Sequence, residues 1–283
     1  YVYLRYIYLY NMRRRLFTLA AFMFLASMPM DVAAQIPDKR VRMEHIESML
    51  ERNRWGDARV ALLEFEKGLN PITERRDIEW VEYNKIVCAM ELGSGDIEAL
   101  MANYVERYPA SIYRNRMSFI RACYECDKGN LERAKQIFEE VDYKALDVRE
   151  RERYDIRVGY IRFVDGNYNS AHNHFQKINP MSEYYPHALY YTSYIAYSEG
   201  RNQEAQHSFE ALAKYEPYDK LAPFYLLQLE YRKGNYDYVI REGERLMSSA
   251  SSDTLDDLVR IIAESYFIKG DYANAIRYIS QFP

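Results

Sequence analysis

KGNLERAKQIFEEV, running from Lys128 to Val141, sets a Gly-Asn pair before a helix-forming run, with alanine at 134 and phenylalanine at 138. Nearly the same phrase returns as EGRNQEAQHSFEAL, Glu199 to Leu212. Aligned on the glycine, GSGDIEAL holds Gly95, KGNLERA Gly129, DGNYNSA Gly166, EGRNQEA Gly200, KGNYDYV Gly234 and KGDYANA Gly270. The intervals are 34, 37, 34, 34 and 36 residues. A degenerate copy, RNRWGDARVALLEF, precedes Gly95 by about 42 residues, with Trp55 in the aromatic place and Ala58 in the small one. An insertion near Asn70-Pro71 accounts for the longer interval. Self-similarity at a period near 34 residues is the mark of a repeat array.

Each part of the phrase has a physical task. Glycine ends one helix because its left-handed conformation costs little. An adjacent Asp or Asn is suited to cap the next helix by accepting its unpaired N–H groups. Five residues after the glycine come Ala134, Ala171, Ala205 and Ala275, small enough to let two helices approach. Nine after it come Phe138, Phe175 and Phe209, which share a helix face with the alanines. Pro109, Pro180 and Pro217 are expected to stop the second helix of their pairs. The sixth copy departs, with Val239 for the alanine and Gly243 for the aromatic, and the fifth has Gln203-Glu204 after Arg201-Asn202. Both departures predict looser packing.

The pattern closely resembles the tetratricopeptide repeat, whose glycine, Asp/Asn, alanine, phenylalanine and proline signature covers Asp38 to Pro283. The small residue that family carries midway along its first helix is matched by Ala122, Gly159, Ser193 and Ala263. The resemblance implies an all-α fold: a right-handed superhelix, or solenoid, of about seven helix pairs. Their units lie near 38–70, 77–109, 112–142, 148–180, 185–217, 219–250 and 254–283. First helices are expected to line a concave groove, and neighbours to bury each other's cores.

The N-terminus reads as an address. Arg13 to Arg15 precede a 13-residue apolar run, Leu16 to Met28, and Val32-Ala33-Ala34 places small residues before Gln35. That is the form of a secretory signal peptide over 12–34. The competing reading is an uncleaved anchor, but a span needs about 20 apolar residues. Residues 1–11 precede Met12 and read as upstream sequence outside the folded chain. The signal style and the family resemblance point to export into the periplasm or cell envelope of a Gram-negative bacterium, with no membrane span in the mature chain.

The chain of 283 residues has 48% hydrophobic residues, enough for a sizeable core, with sparse Gly (11) and Pro (9). Without residues 1–34, 34 basic face 41 acidic side chains, a net of −7. That balance argues against nucleic acid as a partner. Cys123 and Cys126 have C-x-x-C form but fall mid-helix; buried thiols are the leading reading beside a disulfide or a metal contact. No metal or other cofactor is expected. No HExxH, nucleophile elbow or glycine-rich phosphate loop is present, so catalysis is not expected. The charge run Arg149 to Arg153 reads as a solvated face with internal ion pairs.

The 29 tyrosines direct attention to the first helices. Positions 10, 6 and 3 residues before each glycine share one helical face. They hold Phe119, Cys123 and Cys126; Ile156, Tyr160 and Phe163; Tyr190, Tyr194 and Tyr197; and Phe224, Gln228 and Tyr231. Two readings stay open: rings that pack against the next pair, or an aromatic groove for an apolar or proline-rich peptide. The peptide-binding candidates are Phe119, Tyr160, Phe163, Tyr190, Tyr194, Tyr197, Phe224, Gln228 and Tyr231. His187 lies near the edge of this face and reads as ordinary surface. Lys85 stands alone where some relatives carry a carboxylate clamp, so chaperone-tail binding is not expected. The function so read is an exported scaffold for protein or peptide partners. The alternative is the ligand-sensing segment of a longer envelope protein, since Ile276, Ile279 and Phe282 in the last helix lack cover and suggest that the natural chain continues.

Overall fold

A computed structural model describes residues 38–248, 250 and 252–281. The signal segment, residues 1–11 and Phe282 lie outside the described residues. Among the described residues there are fourteen α-helices, one short 3-10 turn and no strand. In order they are α1 (Lys39–Glu51), α2 (Trp55–Glu66), α3 (Arg75–Leu92), α4 (Ile97–Arg107), α5 (Arg114–Asp127), α6 (Leu131–Glu139) and α7 (Val148–Val164). There follow α8 (Tyr168–Phe175), α9 (Tyr185–Ser198), α10 (Asn202–Leu212), α11 (Ala222–Arg232), α12 (Tyr236–Met247), α13 (Ser252–Ile268) and α14 (Tyr272–Gln281).

The helices group into two compact units, one ending at Leu146 and the other beginning at Asp147. In the first, α1 packs on α2, α2 on α3, α3 on α4 and α5 on α6. In the second, each helix from α7 to α14 packs on the next, and alternate first helices α7 and α9, and α11 and α13, touch side by side. Successive helix pairs of this kind make an all-α repeat array, the class of fold that the sequence resemblance implies. It follows from short glycine turns joining amphipathic helices that hide their apolar faces only against neighbours.

The glycine turns behave as their chemistry requires. Gly129, Gly166, Gly200, Gly234 and Gly270 have φ between 73° and 83°, a region that a Cβ disfavours. In the second pair the left-handed residue is Gly93 (φ 61°), not Gly95. The helix has already ended there, and Ser94-Gly95-Asp96 lengthens the turn. Side-chain capping is also less uniform than expected. Asn167 accepts a bond from the Ser170 N–H and Asp271 one from the Asn274 N–H, both at 3.2 Å. The Asn130 amide instead donates back to Glu125 Oε2 at 2.8 Å, and the Asn235 amide to Glu230 Oε2. Both lace the turn to the helix before it.

The small and large positions form the core. Ala134, Ala171, Ala205 and Ala275 are at most 3% exposed, and Phe138, Phe175 and Phe209 at most 2%. Tyr104, nine after Gly95, fills the same place and bonds to Ser111 Oγ at 2.7 Å. Of the three prolines, Pro109 follows the end of α4 by two residues, but Pro180 and Pro217 do not set the helix ends as expected: α8 and α10 finish at Phe175 and Leu212, each five residues earlier. Three-residue turn bonds, Ile178 N–H to Phe175 O and Tyr215 N–H to Leu212 O, have already closed those helices.

The expectation of looser packing in the fifth and sixth pairs is overturned. Ala205, Phe209, Leu212 and Val239 are all 0% exposed. Gly243 is a socket: a Cβ there would lie 2.7 Å from Ile262 Cγ1 and 3.3 Å from Leu227 Cδ2. The bulk that fills this place lies on the neighbouring first helices, as Ile262 and Leu227. Gly243→Ala is therefore expected to destabilise the protein by about 1–3 kcal/mol through overpacking, although alanine favours a helix. Urea unfolding should show most of that cost disappearing when Ile262→Ala is the background.

Candidate functional site

In the first unit, the face expected to open on a groove is closed. Phe119, Cys123 and Cys126 are 3%, 1% and 1% exposed, and the Phe119 ring sits 6.4 Å from Phe138 of the paired helix. Cys123 and Cys126 are buried thiols on α5. Burial pushes the Cys88 thiol up to about 12, so it stays protonated and unreactive at neutral pH. Lys85 does not stand free: its Nζ donates to both Glu66 carboxylate oxygens at 2.8 and 2.9 Å.

In the second unit the expected positions split by depth. Ile156, Tyr190 and Phe224, each ten residues before its glycine, are buried at 8%, 9% and 6%. Tyr160, Phe163, Tyr194, Tyr197, Gln228 and Tyr231, six and three before it, are half-buried and keep part of their surface in solvent. The band available to a partner is thus narrower than the sequence face. Tyr190 and Phe224 belong to its foundation, and Phe119 does not join it.

The band is held by ring contacts. Phe163 meets Tyr191 at 5.0 Å and Tyr194 edge-on at 5.5 Å; Tyr160 meets Tyr191 at 5.6 Å. Tyr194 and Tyr197 both present edges to Tyr225, at 5.9 and 5.6 Å. Tyr190 stacks on Tyr218 at 5.2 Å and shares a hydroxyl contact of 3.3 Å with Tyr225. Such pairs add about 0.5–1.5 kcal/mol each beyond their buried area, so the rings are preset and not mobile feelers. Tyr225 is the hub that sequence inspection passed over. It and Tyr191 stand nine residues before Gly234 and Gly200 respectively, a regularity visible in the register.

Polar groups edge the band. Tyr197 Oη donates to Gln228 Oε1, and the Arg232 guanidinium lies 3.7 Å over the Tyr197 ring while donating to the Tyr197 carbonyl at 2.9 Å. Tyr231 Oη donates to Glu264 Oε2 at 2.6 Å, and Arg260 reaches the same carboxylate at 3.3 Å. The bond to Glu264, with burial, pushes the Tyr231 phenol up to about 12. Burial raises Tyr190 and Tyr197 as well. These phenols therefore remain neutral donors at physiological pH. Among the described residues no three His, Cys, Asp or Glu side chains gather as metal ligands.

Two features differ from their sequence reading. The charge run at the start of α7 is tied into structure. Asp147 and Glu150 form a capping box, and Glu152 accepts from Ser182 Oγ at 2.8 Å, fastening the loop before α9. His187 is not ordinary surface. Its Nδ1 lies 2.6 Å from Tyr218 Oη, and burial lowers its pKa to about 4. It fixes Tyr218, on which Tyr190 stacks, beneath the band.

No family model matches the chain, and no curated protein matches it. Among solved structures the chain is similar to a tetratricopeptide repeat protein from Parabacteroides merdae, with 13% identity, a TM-score of 0.46, and 86% of this chain and 91% of that one covered. It is also similar to a chain of the APC/C hetero-tetramer Cut9-Hcn1, at 11% identity and a TM-score of 0.46 over 88% of this chain, and spans 47% of that chain's length. A third is the P58(IPK) TPR domain, at 14% identity and a TM-score of 0.31 over 86% and 72%.

A pH dependence follows from His187. Its pKa of about 4 in the folded state lies below the ordinary 6.5, so the unfolded chain binds more protons between those values. The stability contribution is full above pH 6.5 and is lost as pH falls towards 4, by up to roughly 3 kcal/mol. Urea midpoints at pH 7.5 and 4.5 should differ more for the wild type than for His187→Phe, which has no proton to gain.

Proposed function

We propose that the chain is an exported interaction scaffold that holds a protein or peptide segment against the first-helix face of its second unit and catalyses nothing. The observation that carries this reading is the band of half-buried aromatic side chains on successive helices, Tyr160, Phe163, Tyr194, Tyr197 and Tyr231, with Gln228 among them. A ring that is anchored on one edge and wet on the other loses little entropy on binding and offers a large contact area. An uncharged aromatic surface of this kind suits an apolar or proline-rich segment. The net charge of the chain beyond residue 34, −7, supports protein over nucleic acid as partner.

Binding is tested by selection from a random peptide library on the immobilised chain, followed by titration of the selected peptides. Tyr194→Ala combined with Tyr197→Ala should weaken them at least tenfold while far-UV circular dichroism is unchanged, and Met181→Ala, at an exposed loop, should not. Selected peptides that bind the double variant as well as the wild type would refute the assignment of this face.

Export is a separate part of the proposal, supported by the basic, apolar and small-residue succession over residues 12–34. Fusing residues 12–34 to leaderless alkaline phosphatase in a Gram-negative host should give periplasmic enzyme activity. Replacing two residues of the Leu16 to Met28 run by arginine should abolish it. Phosphatase that stays inactive in the cytoplasm with the unaltered segment would overturn export.

A further inference from the structure

The seam between the second and third helix pairs differs from the others. α2 packs on α3, α8 on α9, α10 on α11 and α12 on α13, whereas α4 is not packed closely on α5. The sequence register supplies the reason. Eight and five residues before their glycines, α9, α11 and α13 carry Thr192 and Ile195, Leu226 and Leu229, and Ile262 and Ser265, all buried or half-buried. Ile262 shows what such a residue does: it reaches Gly243 on the preceding second helix. In α5 the two places hold Arg121, which is exposed, and Tyr124, which is half-buried. A guanidinium cannot be pressed unpaired against a neighbouring helix without a large desolvation cost, so the seam stays open.

The opening is a cleft of about 410 Å³ within the first unit, the size of a small-molecule site. Its α4 wall is apolar, made by Met101, Ala102 and Val105. Ala102 and Val105 stand seven and ten residues after Gly95. In α6, α8, α10 and α12 the same places hold Gln136 and Glu139, Asn173 and Gln176, His207 and Glu210, and Arg241 and Glu244. Val105 is 56% exposed. One end of the cleft is closed by Glu98, which accepts from Lys128 Nζ at 2.5 Å and from Tyr124 Oη at 3.1 Å. The bonds from Lys128 and Tyr124 hold the Glu98 carboxyl below the usual carboxylate range. Glu125 is engaged as well, by the Asn130 amide at 2.8 Å and by Arg133 at 3.3 Å. Of the charged side chains that line the cleft, Arg121 alone has no ion pair or hydrogen bond among the described residues.

We propose that this cleft binds a small carboxylic acid with an apolar body, its carboxylate on the Arg121 guanidinium and its hydrocarbon part against Met101, Ala102, Val105 and the Tyr124 ring. The fork of a guanidinium matches a carboxylate and pairs with it through two parallel hydrogen bonds. Glu98 and Glu125 are held by other partners, so neither competes for Arg121. Arg121 and Lys128 are two helical turns apart on α5, roughly 10 Å. A small acid fits that length, whereas an extended peptide covers it in about three residues and is stopped by the closed end. The site lies in the first unit and shares no residue with the aromatic band, so it stands whatever that band holds.

The test titrates the full chain with 4-phenylbutyrate and with octanoate, read by saturation-transfer difference NMR. At least one acid should bind saturably, and its uncharged amide should bind far more weakly. Arg121→Gln should weaken the acid by roughly tenfold or more, and Arg121→Lys, which keeps the charge without the fork, should fall between. Val105→Asp should also weaken it, and Arg76→Gln, at an exposed position on α3, should change nothing. The substituted positions are exposed, and far-UV circular dichroism should match the wild type. Failure of both acids to bind saturably would overturn the proposal, as would equal affinity for acid and amide, or undiminished binding by Arg121→Gln or Val105→Asp. So would tighter binding of the peptide acetyl-Leu-Glu-Leu-amide than of either acid, because a protein segment would then be the occupant.

Discussion

The second unit depends on one contact, the seating of a second-helix side chain against the first helix that follows. Phe175 on Tyr191 and Phe209 on Tyr225 are near-parallel stacks in which Phe175, Tyr191 and Phe209 are buried and Tyr225 is half-buried. No helix pair can bury both of its faces alone, so the stacks are what convert separate hairpins into a continuous core. They also position what lies above them. Tyr225 stacks on Phe209 and makes edge-to-face contacts with Tyr194 and Tyr197, so the buried contact and the half-exposed band are one aromatic assembly.

The same geometric demand is met by different chemistry where the sequence departs from the pattern. Gly159 lets the Phe175 ring lie where a Cβ would be, 2.6 Å from its Cε1. In the sixth pair the relation is inverted: Gly243 is the recess, and Leu227, seven residues before Gly234 as Gly159 is before Gly166, lies 3.3 Å from where the Gly243 Cβ would be, with Ile262 of the next pair in the same recess. Close packing constrains the sum of the two volumes and leaves open which helix supplies the bulk. A substitution that looks like erosion of a motif is here an exchange of partners. Polar atoms follow the same economy beneath the band, where His187 and Tyr218 satisfy each other in a site that keeps the imidazole neutral.

Much of the fold was legible in the repeat. Glycine, alanine and phenylalanine each impose a local requirement that acts within one pair. The details that escaped were those set by alternatives of nearly equal energy. Asn130 and Asn235 had a choice between the N–H groups ahead and a glutamate behind, and took the glutamate. The turn after α3 had two glycines to choose from, and the left-handed conformation fell to Gly93. Of the nine candidate binding residues, the helical period placed all on one face, yet Phe119, Tyr190 and Phe224 are buried. Periodicity gives the direction of a side chain about its helix axis. It does not give the extent of the neighbouring helices that cover it.

The sequence by itself determined that the described chain is built of repeated antiparallel helix pairs, because the spacing of a left-handed glycine, a small residue and a large one encodes a turn and two matched faces without reference to the rest of the chain. Only the tertiary structure decided which aromatics support and which face solvent, that Gly243 is a tight socket, and that His187 is a buried partner of Tyr218. The physical reason is that burial is a property of neighbours. A residue type and its period define what a surface is suited to meet, and the packing of distant helices defines whether anything meets it.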